Sequence, residues 1–439
     1  MRVLVVTPEL PYAPGGSGGS TRQFHLIRRL VERGFDVDVV APVHASQDPS
    51  SLGAAGIALH GVSRPQSRFS ETLRALRTRP RLALGPLREP LLAWQVDVFW
   101  TALRPIAERL VAERPPDVVL VEHDWAASWA RDLPAPRALT LHNLSWRYYE
   151  NRARAASGVR GAALAAEARR FARHDRRWLP RYDLLLAMSD EDRAAVAEVA
   201  PGVRCETVPN GVDAAGLELP PPSGDPVVLF TGRLSYPPNA EGLLWLLREV
   251  WPRVEAAAPA VRLLVVGPDP PEEARRLAGP RAELTGWVEE MAPQFERAHV
   301  VAVPILSGGG TRLKVVDGLA SGRPVVATPM GAEGIAARDG EEIVLARDPE
   351  GFATALLRLL AEPAEAARIG AAGRRLAEER YDWRTIGDRL ADLLEQLATD
   401  HRGLSPQYEG DCPRNIKGTV PPASGGGSAP PPSSEGAPS

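Results

Sequence analysis

Apolar residues are arranged along the chain in short continuous runs, and each run is followed by a stretch with helical spacing. Residues 3–6, Val-Leu-Val-Val, form the first run, and its β-branched character predicts a strand buried on both faces. Over residues 20–33, Phe24, Ile27, Leu30 and Val31 recur on one helical face, and Gly34 stands where a left-handed cap would end the helix. Further strands are predicted at residues 37–40, 117–121, 137–141 and 184–187. Buried strands alternating with helices imply a parallel sheet covered on both sides.

The rhythm breaks between Val212 and Pro226, where Leu219 is followed by three prolines, Ser223, Gly224 and Asp225. Such a composition reads as an interdomain linker. The alternation then restarts, with strands predicted at residues 226–232, 262–267, 300–304, 324–327 and 343–345 and a helix over 239–257. The predicted fold class is therefore α/β, with two Rossmann-like doubly wound domains, 1–215 and 226–383, facing a central cleft. A last amphipathic helix carries Ile386, Leu390, Leu393 and Leu394, and residues 384–403 are expected to pack back on the first domain. From 404 to 439 Pro, Gly and Ser dominate, and a disordered tail is expected there. Ligands of doubly wound sheets bind outside the carboxyl ends of the strands, so facing sheets would share one cleft.

Charge and cysteine content narrow the class. Lys plus Arg total 52 against 55 Asp plus Glu, without the basic excess of a nucleic-acid binder. Cys205 and Cys412 make neither a disulfide framework nor a zinc site. The first apolar run is too short for a signal-peptide core, and no run reaches the ~18 residues of a membrane span. A cytoplasmic protein is expected. Arginines crowd residues 64–88 and 147–181 with interleaved Leu, Trp and Tyr. A solvated charged face explains them, or peripheral contact with a lipid-phosphate surface at the inner face of the membrane.

The strongest chemical signal is Ser307-Gly308-Gly309-Gly310-Thr311-Arg312-Leu313-Lys314, which joins a predicted strand to a helix faced by Val315, Val316 and Leu319. Glycines admit a ligand close to the backbone, helix-start amides favour an anion, and Arg312 and Lys314 add cations. A diphosphate suits this constellation; a flexible turn with solvated basic residues is the plainer alternative. Asp317 falls about six residues into the predicted helix, roughly 9 Å along its axis, where it could accept from ribose hydroxyls or pair with Lys314. Gly232 and Arg233 end the predicted strand that opens the second domain, and Arg233 offers a fork of donors to phosphate or to a surface carboxylate.

In the first domain, Gly15-Gly16-Ser17-Gly18-Gly19 lies too far beyond its strand to be a dinucleotide fingerprint, because residues 7–14 intervene. A dehydrogenase is disfavoured on that ground, and a long mobile loop over the cleft is expected instead. Asp36-Val37-Asp38 opens a strand and is read as structural. His142 ends a strand, where it either meets a sugar hydroxyl or packs; His123, beside Glu122 and Asp124, has a weaker claim. Trp287 would stack on a base or belong to the core.

Taken together, Gly15–Gly19 with Arg22, Val208-Pro209-Asn210-Gly211-Val212-Asp213, Thr231-Gly232-Arg233-Leu234, the run 308–322 and Pro324-Val325-Val326-Ala327 resemble retaining glycosyltransferases of the GT-B fold, group 1 or family 4. The resemblance spans residues 1–400. It implies transfer of a sugar from a nucleotide diphosphate sugar to a glycan, lipid-linked or small-molecule hydroxyl, without a metal or other cofactor. It further implies that Arg233 and Lys314 hold the diphosphate and that Asp317, in place of the second glutamate of a Glu-x7-Glu motif, binds ribose. His142 joins Arg233 and Lys314 as the expected catalytic group; Gly16, Gly18, Gly232, Gly309, Gly310, Thr311, Arg312, Asp317 and Trp287 are expected to bind the donor. Two positions depart from the pattern. Gly309 replaces the first glutamate, and Asn239 replaces a lysine that often follows the Gly-Arg pair. The first departure leaves open a non-catalytic, nucleotide-sugar-binding partner subunit.

Overall fold

A computed structural model describes residues 1–13, 17–44, 47–64, 89–130, 133–154, 156–307 and 312–403. The stretch 404–439, expected to be a tail, lies outside the described residues, as does most of the arginine-rich stretch 64–88. Among the described residues no helix is long and apolar enough to cross a membrane.

The short apolar runs become the inner strands of two parallel sheets. In the first lobe these are β1 (Arg2–Val6), β2 (Asp36–His44), β3 (Ala58–Arg64), β4 (Val118–Glu122), β5 (Arg137–Leu141), β6 (Leu184–Ala187) and β7 (Cys205–Thr207), ordered β3-β2-β1-β4-β5-β6-β7. The second holds β8 (Val227–Thr231), β9 (Arg262–Val266), β10 (Ala282–Gly286), β11 (Val300–Val303), β12 (Val325–Ala327) and β13 (Val344–Leu345), ordered β10-β9-β8-β11-β12-β13. In both sheets the order reverses beside the first strand, opening a crevice at the carboxyl edge. Val3 pairs with Val37 on one side and Val118 on the other, so β1 and β8 are central and wholly buried.

Three strands absent from the sequence reading, β3, β7 and β10, all lie at sheet edges. The helix predicted over 239–257 starts earlier, at Pro237, and contains a π-helical turn, Leu246–Val250, just before Pro252. Pro252 has no N–H to donate into a regular α-turn, which accounts for the wide turn ahead of it.

The helix Trp383–Gly403 lies against the helix Gly18–Glu32 of the first lobe. Trp383, Ile386, Leu390, Leu394 and Leu397 share one core with Phe24, Ile27 and Leu30. Arg29 grips Asp388 through both carboxylate oxygens at 3.0 Å. The chain thus crosses between lobes twice, and the crossings are hydrogen-bonded to each other: Val212 N–H donates to Tyr381 O at 2.8 Å and Trp383 N–H to Val212 O at 3.0 Å.

Candidate active site

The cleft is built from helix starts that meet across it. In the first lobe Ser17 caps the helix Gly18–Glu32 by accepting from Ser20 N–H at 3.0 Å. In the second lobe the helix Leu313–Ala320 follows the triglycine run, with Arg312 as its cap residue. A Cβ on Gly18 would stand 3.1 Å from Leu313 Cδ1, so the two entrances face each other. Gly16, Gly309, Gly310 and Thr311 lie outside the described residues.

Lys314 is held inside the second-lobe entrance. Its Nζ donates to Asn239 Oδ1 at 2.6 Å and stands 5.0 Å from the centre of the Phe230 ring. Asn239 in turn donates from Nδ2 to Arg233 O at 2.8 Å. The asparagine that replaces a second lysine is therefore the residue that orients the remaining one. Gly232 has φ +144°, and a Cβ there would lie 2.7 Å from Lys314 Nζ; only glycine leaves the ammonium its place. Burial, with Arg312 nearby and Asp317 opposing, pulls the Lys314 ammonium down to about 7. Burial pushes the Asp317 carboxyl up to about 7 against the attraction of Lys314. Lys314 and Asp317 do not form the ion pair open to them at i and i+3. Asp317 is also nearer the helix start than expected, because the helix begins at Leu313: it is the fifth residue, roughly 6 Å along the axis from the first.

Arg312 is buried and feels Tyr236 and Glu333. Arg233 is exposed beyond the end of β8 and makes no ion pair among the described residues. Trp287, just past β10, is 67% exposed, which removes the core alternative for it.

The first-lobe wall is a buried network centred on His142. Its Nε2 lies 2.6 Å from Glu122 Oε2, and its ring stacks on His123 at 4.0 Å. Its Nδ1 faces the cleft backbone, 3.3 Å from where a Cβ on Gly19 would be. Burial, reinforced by His123 and Arg22, holds the His142 imidazole neutral, well below its ordinary range. With the ring proton assigned to Nε2 on the carboxylate, Nδ1 is left as an acceptor towards the cleft. Burial likewise pushes Glu122 up to about 7, although Arg22 pulls it back.

Glu9, absent from the sequence reading, completes this wall. It accepts from His123 Nε2 at 3.0 Å, Gln23 Nε2 at 3.1 Å and Ser17 Oγ at 2.9 Å. Burial alone would raise its carboxyl, but the histidines and Ser17 override this and hold it at about 2. The signal was available: a carboxylate just past the carboxyl end of a central parallel strand faces the crevice. The described part of the loop after β1 is packed on the first lobe: Leu10 is core and Thr7 N–H bonds Val40 O at 3.1 Å. Asp38 is structural, paired with Arg2 at 2.6 Å. Among the described residues no group of three or more His, Cys, Asp or Glu side chains could hold a metal ion.

Two doubly wound α/β lobes facing a cleft are the architecture of the GT-B class of glycosyltransferases. The profile described as Glycosyltransferase Family 4 matches residues 16–215, and that described as Glycosyl transferases group 1 matches residues 225–362. The chain belongs to this family. It is 33% identical over 226 residues to a phosphatidyl-myo-inositol mannosyltransferase of Mycobacterium leprae, a match covering 49% of this chain and 59% of that protein. A glycogen synthase of Mycobacterium tuberculosis is 26% identical, over 93% of this chain and 97% of its own. The chain thus spans little more than half the length of the mannosyltransferase it matches. The sucrose-phosphate synthase of Thermosynechococcus elongatus shares the fold, with a TM-score of 0.68 at 18% identity over 91% of this chain and 100% of its own.

Proposed function

We propose that this chain transfers a glycosyl unit from a nucleotide diphosphate sugar to a hydroxyl acceptor, retaining the anomeric configuration and using no metal. The observation that carries the reading is the placement of Lys314 in the first turn of the helix whose start faces the first lobe, its ammonium held by Asn239 against Gly232. In the second domain, 226–383, Lys314, Arg312 and Arg233 hold the diphosphate with Gly232, Gly309, Gly310 and Thr311. Asp317 binds ribose, Trp287 stacks on the base, and Gly16 and Gly18 of the first domain, 1–215, contribute to donor binding. The bond from the anomeric carbon to the diphosphate oxygen breaks as negative charge gathers on the leaving group, where fixed cations and amides stabilise it. The acceptor oxygen bonds the anomeric carbon on the same face, and its proton passes to a leaving-group oxygen. His142 Nδ1 accepts from a sugar hydroxyl and fixes the ring. Peripheral membrane contact through the arginine-rich helices of residues 147–181 belongs to the same reading.

Donor binding is expected to take up a proton. Lys314, pulled down to about 7, must be charged to hold a diphosphate, so the nucleoside diphosphate binds more weakly as pH rises from 6.5 to 8.5. Calorimetry in buffers of different ionisation enthalpy reads the uptake directly; an affinity flat across that range would remove Lys314 from the phosphate site. Asp317→Asn should weaken the nucleoside diphosphate by about tenfold, the loss of one charge-assisted hydrogen bond. An unaltered affinity would make Asp317 structural.

The second reading, a nucleotide-sugar-binding subunit without activity, draws on Gly309 in place of the first motif glutamate. A panel of nucleotide sugars separates the two. Slow release of a nucleoside diphosphate supports transfer, and binding without release supports the subunit.

A further inference from the structure

A cavity of about 620 Å³ opens between the lobes beside Ser307, at the entry to the triglycine run. Its first-lobe wall carries Arg152, Arg154, Arg160 and Ser157, and its second-lobe wall includes Glu241. Arg154 is paired with Glu150 at 2.9 Å. Arg152 donates to the Tyr148 hydroxyl at 3.2 Å, and neither it nor Arg160 has a carboxylate partner among the described residues. Glu241, the only carboxylate among the described residues lining this cavity, accepts from Ser307 Oγ at 2.5 Å. Arg152 also acts across the cleft, since its charge is felt at Tyr236 of the second lobe. Clustering guanidinium groups in a partly enclosed space is unfavourable in itself and raises the local concentration of anions.

We propose that this cavity is an acceptor subsite for a phosphate-bearing molecule, held by Arg152 and Arg160 while its hydroxyl points to the donor past Ser307. The assignment rests on the donor reading given above. A neutral glycan would leave the two guanidinium groups without a counter-charge, whereas a phosphate accepts from both through paired, charge-assisted hydrogen bonds. Arg154 and Ala156 also border a second cavity of about 610 Å³ walled mainly by the helix Gly158–Trp178, with Ala162, Ala165, Ala168 and Ala172 in its lining. A sugar phosphate and a phospholipid head share the chemistry the arginines recognise.

The test titrates the full chain, with and without a saturating nucleoside diphosphate. The probes are glucose 6-phosphate, glucose, and vesicles of phosphatidylcholine with and without phosphatidic acid. Binding of at least one phosphate probe is expected, with glucose and pure phosphatidylcholine inert. Glucose 6-phosphate alone binding marks a water-soluble acceptor, and phosphatidic acid vesicles alone a lipid-borne one. The Arg152→Gln, Arg160→Gln double variant should weaken that probe by roughly tenfold or more and leave nucleotide affinity unchanged. Equal binding by the double variant, or failure of both phosphate probes with the wild-type chain, overturns the proposal. Failure of the nucleoside diphosphate to bind overturns the donor reading instead, because the arginine dependence is read without nucleotide as well.

Discussion

Replacing Lys314 by alanine should lower turnover of the nucleotide sugar by about 10²–10³-fold, roughly 3–4 kcal/mol of transition-state stabilisation. The magnitude follows from where the ammonium lies. It is half-buried beside Phe230, and among the described residues it donates to the neutral Asn239 Oδ1. In such a place a charge meeting the departing diphosphate is worth more than on the surface. Folding should survive the change. Lys314 makes no ion pair among the described residues, and burial already disfavours its charged form, so the variant should melt no lower than the parent. A thermal midpoint together with kcat at saturating donor checks both halves. Unchanged turnover would remove the phosphate assignment, and a fall in midpoint without a fall in kcat would make Lys314 a packing residue. Asn239→Ala should lie between parent and Lys314→Ala, since it frees the ammonium without removing it.

The sequence made the inner strands and the two-lobe architecture legible because wholly buried parallel strands are written as uninterrupted apolar runs, as at residues 3–6 and 300–303. The strands it hid are at the edges. Cys-Glu-Thr in β7 and Ala-Glu-Leu-Thr-Gly in β10 are half-exposed and carry no such run. Lys314 and Asp317 were legible as chemistry because a glycine run, a helix start and charged residues fall within a few positions. Their environment was not. Asn239 lies 75 residues before Lys314, and its role depends on the turn that follows β8. Glu9, and the partnership of Glu122 with His142, were hidden for a related reason. Each glutamate is a single carboxylate at a strand end, and only the fold brings both to the paired rings of His123 and His142.

Arg22→Met should destabilise the protein by about 3–5 kcal/mol, the larger of the stability effects expected here. Arg22 is 1% exposed, and its guanidinium donates to Val208 O at 2.7 Å, to Pro209 O and to Asn210 Oδ1 at 3.4 Å. It therefore ties the first helix to the loop that leads into the linker, joining two motifs that are 186 residues apart in sequence. Methionine fills much of the volume but leaves buried carbonyls without donors. The loss should also depend on pH. In the parent, Glu122 is raised to about 7 by burial and pulled back by Arg22. A carboxyl whose folded pKa exceeds its unfolded value binds protons more tightly when folded. Its contribution is therefore fully present below the unfolded pKa of about 4.5 and is lost as pH rises through the folded value. Without Arg22 the folded pKa climbs further, so the deficit of the variant should be greater at pH 8 than at pH 5.5. Urea unfolding at both values reads this as a wider gap in midpoints at the higher pH, with the slope unchanged. Equal gaps would show that Arg22 acts only through the loop carbonyls and not through the charge it shares with Glu122.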